Sequence, residues 1–380
     1  MTPQMSNQMK RIQQISEEIK HLRGTPLMVI GQEIERTLAP LLTAQDGDVT
    51  GPVSQLIGHL NDLILALPKT FGQRFLFDAA LIRTLMEEWN PKLKLQRLAL
   101  PGYDPGWGYR RLPMPSFNRE STLVFDLFLI PGREILDDVD LLDYPWIMHE
   151  MAHCLMNLRP DEFPDAFRID LQRHFRDLRL LAFADRGRAR EKADSALREV
   201  ERFWTPARDQ RDWAHEIAFD VFALWTCGPA FINAFHNTLR DRNPDPFIKL
   251  QDHPPYVVRV AALISAAKKL HFGGYLGQIS GTHHAQRKTV ERAGKKNDLL
   301  LFAPDDLIES CVNASIIAAG KFELRRWRDV EPEQFLAEPS FGIDLLAAAN
   351  AASRKWQANP SDYAEWQQRA VGELAASVTL

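Results

Sequence analysis

Apolar positions recur at three- and four-residue steps through most of this chain, the period of one helix face. Residues 26–42, 53–67 and 71–89 carry that period clearly, and residues 5–22 carry it thinly on a polar background. Gly51-Pro52 and Pro68 punctuate the run. Residues 101–117, PGYDPGWGYRRLPMPSF, break the pattern and read as an ordered loop. Within it, Tyr103 and Trp107 either line a cleft or pin the loop. Residues 122–130, TLVFDLFLI, are short, β-branched and aromatic, and close on Pro131-Gly132, so they predict a strand. Helical spacing returns around residue 146. Asp143 and Pro145 suit a helix start and Pro160 a stop.

Residues 165–203 predict one or two charged helices, with RGRAREK from Arg186 read as a solvated face. Residues 212–225 predict a strongly apolar helix closed by Cys227-Gly228-Pro229, and further helices follow at 229–239 and 254–270. Residues 271–298 turn Gly-rich and then basic, which predicts a mobile loop carrying solvent-exposed His283 and His284. Residues 304–380 are helical again. The expected class is mainly α (α+β). Its parts are an N-terminal helical region at 1–96, a core with a small sheet at 97–282, a basic loop at 283–303 and a C-terminal helical region at 304–380.

Composition narrows the function classes. The chain has 380 residues, 45% hydrophobic and 25% charged, with a net charge of −4. That balance gives no reason to expect a nucleic acid or an anionic membrane as partner. No apolar run reaches the roughly 20 residues of a membrane span, and the polar first twenty residues lack a signal-peptide core. Cys154, Cys227 and Cys311 are scattered and odd in number, which suits a reducing compartment. The expectation is a cytoplasmic protein without a membrane span. Cys154 reads as a small core residue rather than a nucleophile.

The segment YPWIMHEMAHCLMNL holds His149, Glu150 and His153, the pattern H-E-x-x-H. Residues i and i+4 share a helix face, so both imidazoles can face one ion. Glu150, about 100° around the helix, is placed to take a proton from a metal-activated water. The alternative is a satisfied histidine pair on a core-facing helix. Downstream, WAHEIAFDVFALW carries Glu216 and Asp220 one turn apart in a helix that is otherwise strongly apolar. Buried acids need partners. A metal for Glu216 and a ligand histidine's other nitrogen for Asp220 would supply them. His215 is a rival ligand about 100° away from Glu216. A third segment, DHPPYVVR, places His253 before a proline-initiated helix and Arg259 within it. These are either groups that stabilise an oxyanion near the metal or a helix-capping histidine and an exposed arginine.

With these segments in their order, HEMAH, EIAFD and HPPYVVR, the sequence resembles the gluzincin metallopeptidases. It is most similar to the branch of the CAAX-prenyl endopeptidases and HtpX-type proteases. The resemblance implies a zincin-like core with two ligand-bearing helices, and one Zn2+ per chain held by His149, His153 and Glu216. It also implies Glu150 as general base, Asp220 as partner of a ligand histidine, and His253 and Arg259 near the substrate or bracing the site. It covers about a third of the chain. Ala152 stands where the family has glycine, Phe219 takes a small-residue place, the gap between ligand helices is long, and the branch's membrane spans are absent. The implied activity is hydrolysis of a peptide or protein substrate by Glu-assisted attack of zinc-bound water. In that picture a peptide lies along the strand at 122–130 by β-addition. Two alternatives remain: a non-catalytic, metal-stapled helical interaction or regulatory module, and a helical scaffold with no metal.

Overall fold

A computed structural model describes residues 3–20, 28–43, 50–66, 73–93, 97–104, 107–113, 124–131, 139–158, 165–184, 187–204, 212–242, 245–248, 253–292, 303–327 and 345–377. It is mainly α, with fourteen α-helices and one three-stranded sheet among those residues. The chain divides into two compact units. One is Met1–Asp140 with Pro339–Leu345 and Ala364–Leu380, and the other is Leu141–Glu338 with Leu346–Tyr363. The sheet therefore groups with the N-terminal helices, whereas the sequence boundary at residue 97 put it with the helices of the H-E-x-x-H segment.

The first unit contains α1 (Pro3–Ile19), α2 (Met28–Thr43), α3 (Thr50–Ala66), α4 (Gln73–Leu93), β1 (Arg97–Asp104), β2 (Gly108–Pro113) and β3 (Val124–Pro131). Its core follows the periodicities of the sequence. Ile12, Ile15 and Ile19 of α1 and Val53, Leu56, Leu60 and Leu63 of α3 step along single faces, while Phe125, Leu127 and Leu129 alternate along β3. Each such side chain contributes about 1.5–3 kcal/mol through burial.

The sheet order is β1-β3-β2, with β1 parallel and β2 antiparallel to β3. This corrects two expectations. Residues 101–104 and 108–113, expected as loop, lie in strands β1 and β2, because edge strands tolerate the Pro and Gly that a central strand excludes. The strand most legible in the sequence, β3, is the central one. Both its edges are paired, so no peptide can add to it. Tyr103 pins rather than lines a cleft: its hydroxyl donates to Asp78 Oδ2 at 3.0 Å.

The second unit contains α5 (Trp146–Leu158), α6 (Asp165–Ala184), α7 (Arg188–Trp204), α8 (Trp213–Cys227), α9 (Pro229–Arg242), α10 (Tyr256–Lys269), α11 (Gly277–Arg292), α12 (Asp305–Lys321) and α13 (Leu345–Ala358). The helix α14 (Tyr363–Ser377) falls almost wholly in the first. At the centre of the second unit α8 packs against α5, α10 and α12. Asp212 caps its start by accepting from the His215 N–H at 2.7 Å. Gly228 ends it at φ 58°, where a Cβ would lie 2.5 Å from the Trp327 ring, so no other residue fits. Asn350 of α13 donates to the Cys227 carbonyl at 2.9 Å and ties that junction down.

The expected loop at 271–298 is corrected as well. Residues 277–292 form α11, packed against α10. Burial of Leu276 and Ile279 outweighs the low helix propensity of the glycines. On α11, His284 is exposed and His283 half-buried, and residues 293–302 lie outside the described ones. All three cysteines are buried and reduced. No helix among the described residues is long and apolar enough to cross a membrane.

Candidate metal centre

The helix α5 starts after a turn in which the Trp146, Ile147 and Met148 amides donate to the Asp143, Tyr144 and Pro145 carbonyls at 3.0, 2.9 and 3.2 Å. It then runs buried from Trp146 to Leu155. One helical turn separates His149 from His153, whose rings meet edge to face with centroids 5.2 Å apart. Facing them, α8 presents Glu216 and Asp220, also one turn apart. Glu216 is 0% exposed. Its carboxylate stands between the two imidazoles, 3.4 Å from His149 Nε2 and 3.7 Å from His153 Nε2. One donor atom from each of His149, His153 and Glu216 lies within 4.8 Å of the other two. His215, the rival ligand, turns instead to Asp212, with Nδ1 2.7 Å from Oδ1.

A metal fits this set on two related grounds. Neither oxygen of Glu216 makes a hydrogen bond among the described residues, although both are buried. Such a carboxylate costs several kcal/mol unless a cation or donor meets it. Also, two ligands each about 2.0–2.1 Å from a tetrahedral ion stand ~3.3–3.4 Å apart. The imidazole–carboxylate separations here are 3.4 and 3.7 Å. They are too long for hydrogen bonds and close to that spacing.

Behind the histidines lies a chain of charge-assisted contacts. His149 Nδ1 is 2.9 Å from Asp220 Oδ1. Asp220 in turn accepts from Arg259 Nε at 2.8 Å and Nη2 at 2.6 Å. A bidentate guanidinium fixes the plane of the carboxylate, and the carboxylate fixes the ring of His149 with Nε2 toward Glu216. The Arg259 guanidinium is packed by the rings of Trp146, Phe235 and Tyr256, 5.6, 5.2 and 5.8 Å away. Of the two roles offered for Arg259, this geometry fits bracing, because Nε and Nη2 are both engaged by Asp220. His253 stands at the more open side. Its Nε2 is 3.5 Å from Glu216 Oε2 and its side chain is 38% exposed. It is not a helix cap, since Pro255 is the N-cap of α10 and no side chain bonds there. Glu150 is buried, with Oε2 3.7 Å from His153 Nε2, so it flanks the same nitrogen that faces Glu216.

The electrostatics follow from this packing. Burial pulls the His149 pKa down, but Asp220 on one nitrogen and Glu216 on the other outweigh it and lift it to about 9 in the metal-free protein. Burial pushes Glu216 up, and the surrounding imidazoles overcome that to hold it below the usual carboxylate range. Asp220 is likewise held low against burial by Arg259 and His149. The metal-free cluster thus sets the carboxylates of Glu216, Asp220 and Glu150 against His149 and Arg259, and an incoming cation would take the place of the His149 proton.

Two contributors gave little sign of themselves in the sequence. Phe219 packs on His153 with centroids 4.0 Å apart and stands edge-on to His149 at 5.8 Å. Its bulk in a small-residue place is taken up there. Trp146 meets His149 edge to face at 5.5 Å. Its position one turn before His149 on a buried helix was the only available signal. His283 and His284 join no metal-ligand group among the described residues.

No family model matches this chain, and neither a curated protein sequence nor a solved structure resembles it at a significant level.

Proposed function

We propose that the chain is a zinc-dependent metallopeptidase of gluzincin type, with His149, His153 and Glu216 holding one Zn2+ and Glu150 acting as general base. The observation that carries this reading is the buried Glu216 carboxylate. It faces imidazoles at ligand-to-ligand spacing, with a second carboxylate, Glu150, beside the same His153 nitrogen. When bound, the ion supplies Lewis acidity to a water and to a substrate carbonyl. Glu150 accepts a proton from the attacking water at its carboxylate and hands it to the leaving amine. His253, exposed on the open side, is placed to donate to the oxygen on which negative charge develops. Asp220 and Arg259 touch no substrate and position His149. Zinc is preferred over other divalent ions because two imidazoles and one carboxylate make a familiar zinc donor set.

The test is a Glu150→Gln variant assayed on a pool of fluorogenic peptides. Retained metal with turnover down by on the order of 10²–10⁴ is expected. Near-normal turnover contradicts the mechanism.

A second reading, a metal-stapled interaction module without catalysis, is favoured by one contact. His253 Nε2 lies 3.5 Å from Glu216 Oε2, close enough to make a fourth protein ligand. Catalytic zinc keeps a position open, whereas structural zinc does not. His253→Ala separates the two: metal retained with turnover reduced supports the peptidase, and metal lost supports the staple.

A further inference from the structure

Six large hydrophobic side chains are well exposed among the described residues, and three of them, Ile169, Leu180 and Phe183, lie on α6. Phe183 is 83% exposed. At 100° per residue the three share a sector about 60° wide along ~21 Å of helix. Arg176 falls inside that sector and Arg173 about 20° beyond its edge, which widens the face to about 80°; both are exposed. The opposite face, with Phe167, Leu171 and Leu178, is buried; α6 packs on α7 and α12. The exposed sector therefore reads apolar, basic, basic, apolar, apolar. Beside it α6 and α7 enclose an open groove of about 580 Å³ lined by Gln172, Phe175, Arg176, Arg179 and Glu201.

We infer that this face docks an acidic amphipathic helix of a partner protein, with carboxylates on Arg173 and Arg176 and apolar side chains on Ile169, Leu180 and Phe183. Charge selects this occupant over two others. A second copy related by a two-fold axis would bring the arginines onto each other. An interfacial membrane helix needs a continuous apolar face, and here two guanidiniums interrupt it. The arginines do have local partners: Arg173 with Asp170 at 2.8 Å, Arg176 with Asp177 at 3.8 Å and Arg179 with Glu201 at 3.6 Å. These are exposed pairs of the kind that contributes little, and a bidentate carboxylate delivered with apolar burial displaces them.

The test uses the full chain and a synthetic helical peptide of about 18 residues, ~27 Å long, with Leu at both ends and Glu in the middle of one face. Fluorescence anisotropy is expected to show micromolar binding. Binding falls at least tenfold in Arg173→Glu/Arg176→Glu and in Leu180→Ser/Phe183→Ser, with circular dichroism unchanged because all four positions are exposed. A Lys-for-Glu version of the peptide ignores the natural chain and binds the charge-reversed variant. Four results overturn the inference. They are no peptide binding, binding indifferent to these substitutions, a concentration-dependent dimer abolished by them, and sole binding to vesicles containing one third phosphatidylserine.

Discussion

Asp78 and Glu216 are both completely buried, one in each unit, and their surroundings differ in kind. Asp78 Oδ2 accepts from Arg74 Nε at 2.7 Å and from the Tyr103 hydroxyl at 3.0 Å. Glu216 has imidazole nitrogens at 3.4, 3.5 and 3.7 Å and accepts no hydrogen bond among the described residues. A buried acid that serves the fold is closed off by protein donors at hydrogen-bond distance. A buried acid with nitrogens standing back at ligand spacing leaves room for a cation. Asp220, beside Glu216 on α8, belongs to the first kind, with His149 and Arg259 at 2.6–2.9 Å. One helix therefore carries one acid closed off by protein donors and one left with room for a cation.

Several substitutions probe that contrast. The largest effect is expected from Glu150→Gln: turnover falls by on the order of 10²–10⁴ while metal stays bound. Arg74→Met removes a donor from the structural acid and costs about 3–5 kcal/mol of stability. That loss is read as a lower denaturant midpoint, with metal content unchanged in the folded protein. A stability-neutral Arg74→Met would place Asp78 outside the structural class. Arg259→Lys keeps the charge but loses the bidentate fork. Metal affinity is expected to weaken about 10–100-fold, measured by competition with a chelating dye, with a smaller change in the melting temperature.

The metal-free protein should also respond to pH in a defined direction. His149 is raised from 6.5 to about 9 in the fold, so its contribution to stability is complete below pH 6.5 and is lost as pH rises through about 9. Metal affinity runs the opposite way, because the ion displaces that proton. It should climb about tenfold per pH unit up to about 9 and then flatten. Titration calorimetry in buffers of different ionisation enthalpy reads the released proton directly. Tyr103→Phe gives the smallest change, about 1 kcal/mol, since it deletes one neutral hydrogen bond and leaves the Arg74 pair.

The sequence carried the two helices of the candidate site well. The helices α5 and α8 are long, apolar and punctuated by Asp143-Tyr144-Pro145 and Gly228-Pro229, and their polar residues fall at i, i+4, so face and spacing are set by helix geometry alone. The crossing of α5 on α8 was not legible, because which face meets which is decided by packing far apart in sequence. The likeness of motif order only supplied an expectation. The Arg259 fork depended on the same crossing and could be named only as one of two roles. The two edge strands were hidden because Pro101, Gly102 and Gly108 are loop residues everywhere except at an edge. The helix α11 was hidden because glycines lower local propensity while the burial of Leu276 and Ile279, which decides the matter, is tertiary.

The chemistry proposed for the second unit turns on whether His149, His153 and Glu216 hold a metal ion, and metal content decides that. The natural chain and a Glu216→Ala variant, purified without added metal and then offered zinc and dialysed, are measured by elemental analysis alongside circular dichroism. About one zinc per natural chain and almost none in the variant is expected, with both folded. A folded natural chain that retains no metal after zinc is offered would contradict the assignment, and would reduce the histidine pair to a feature of the core.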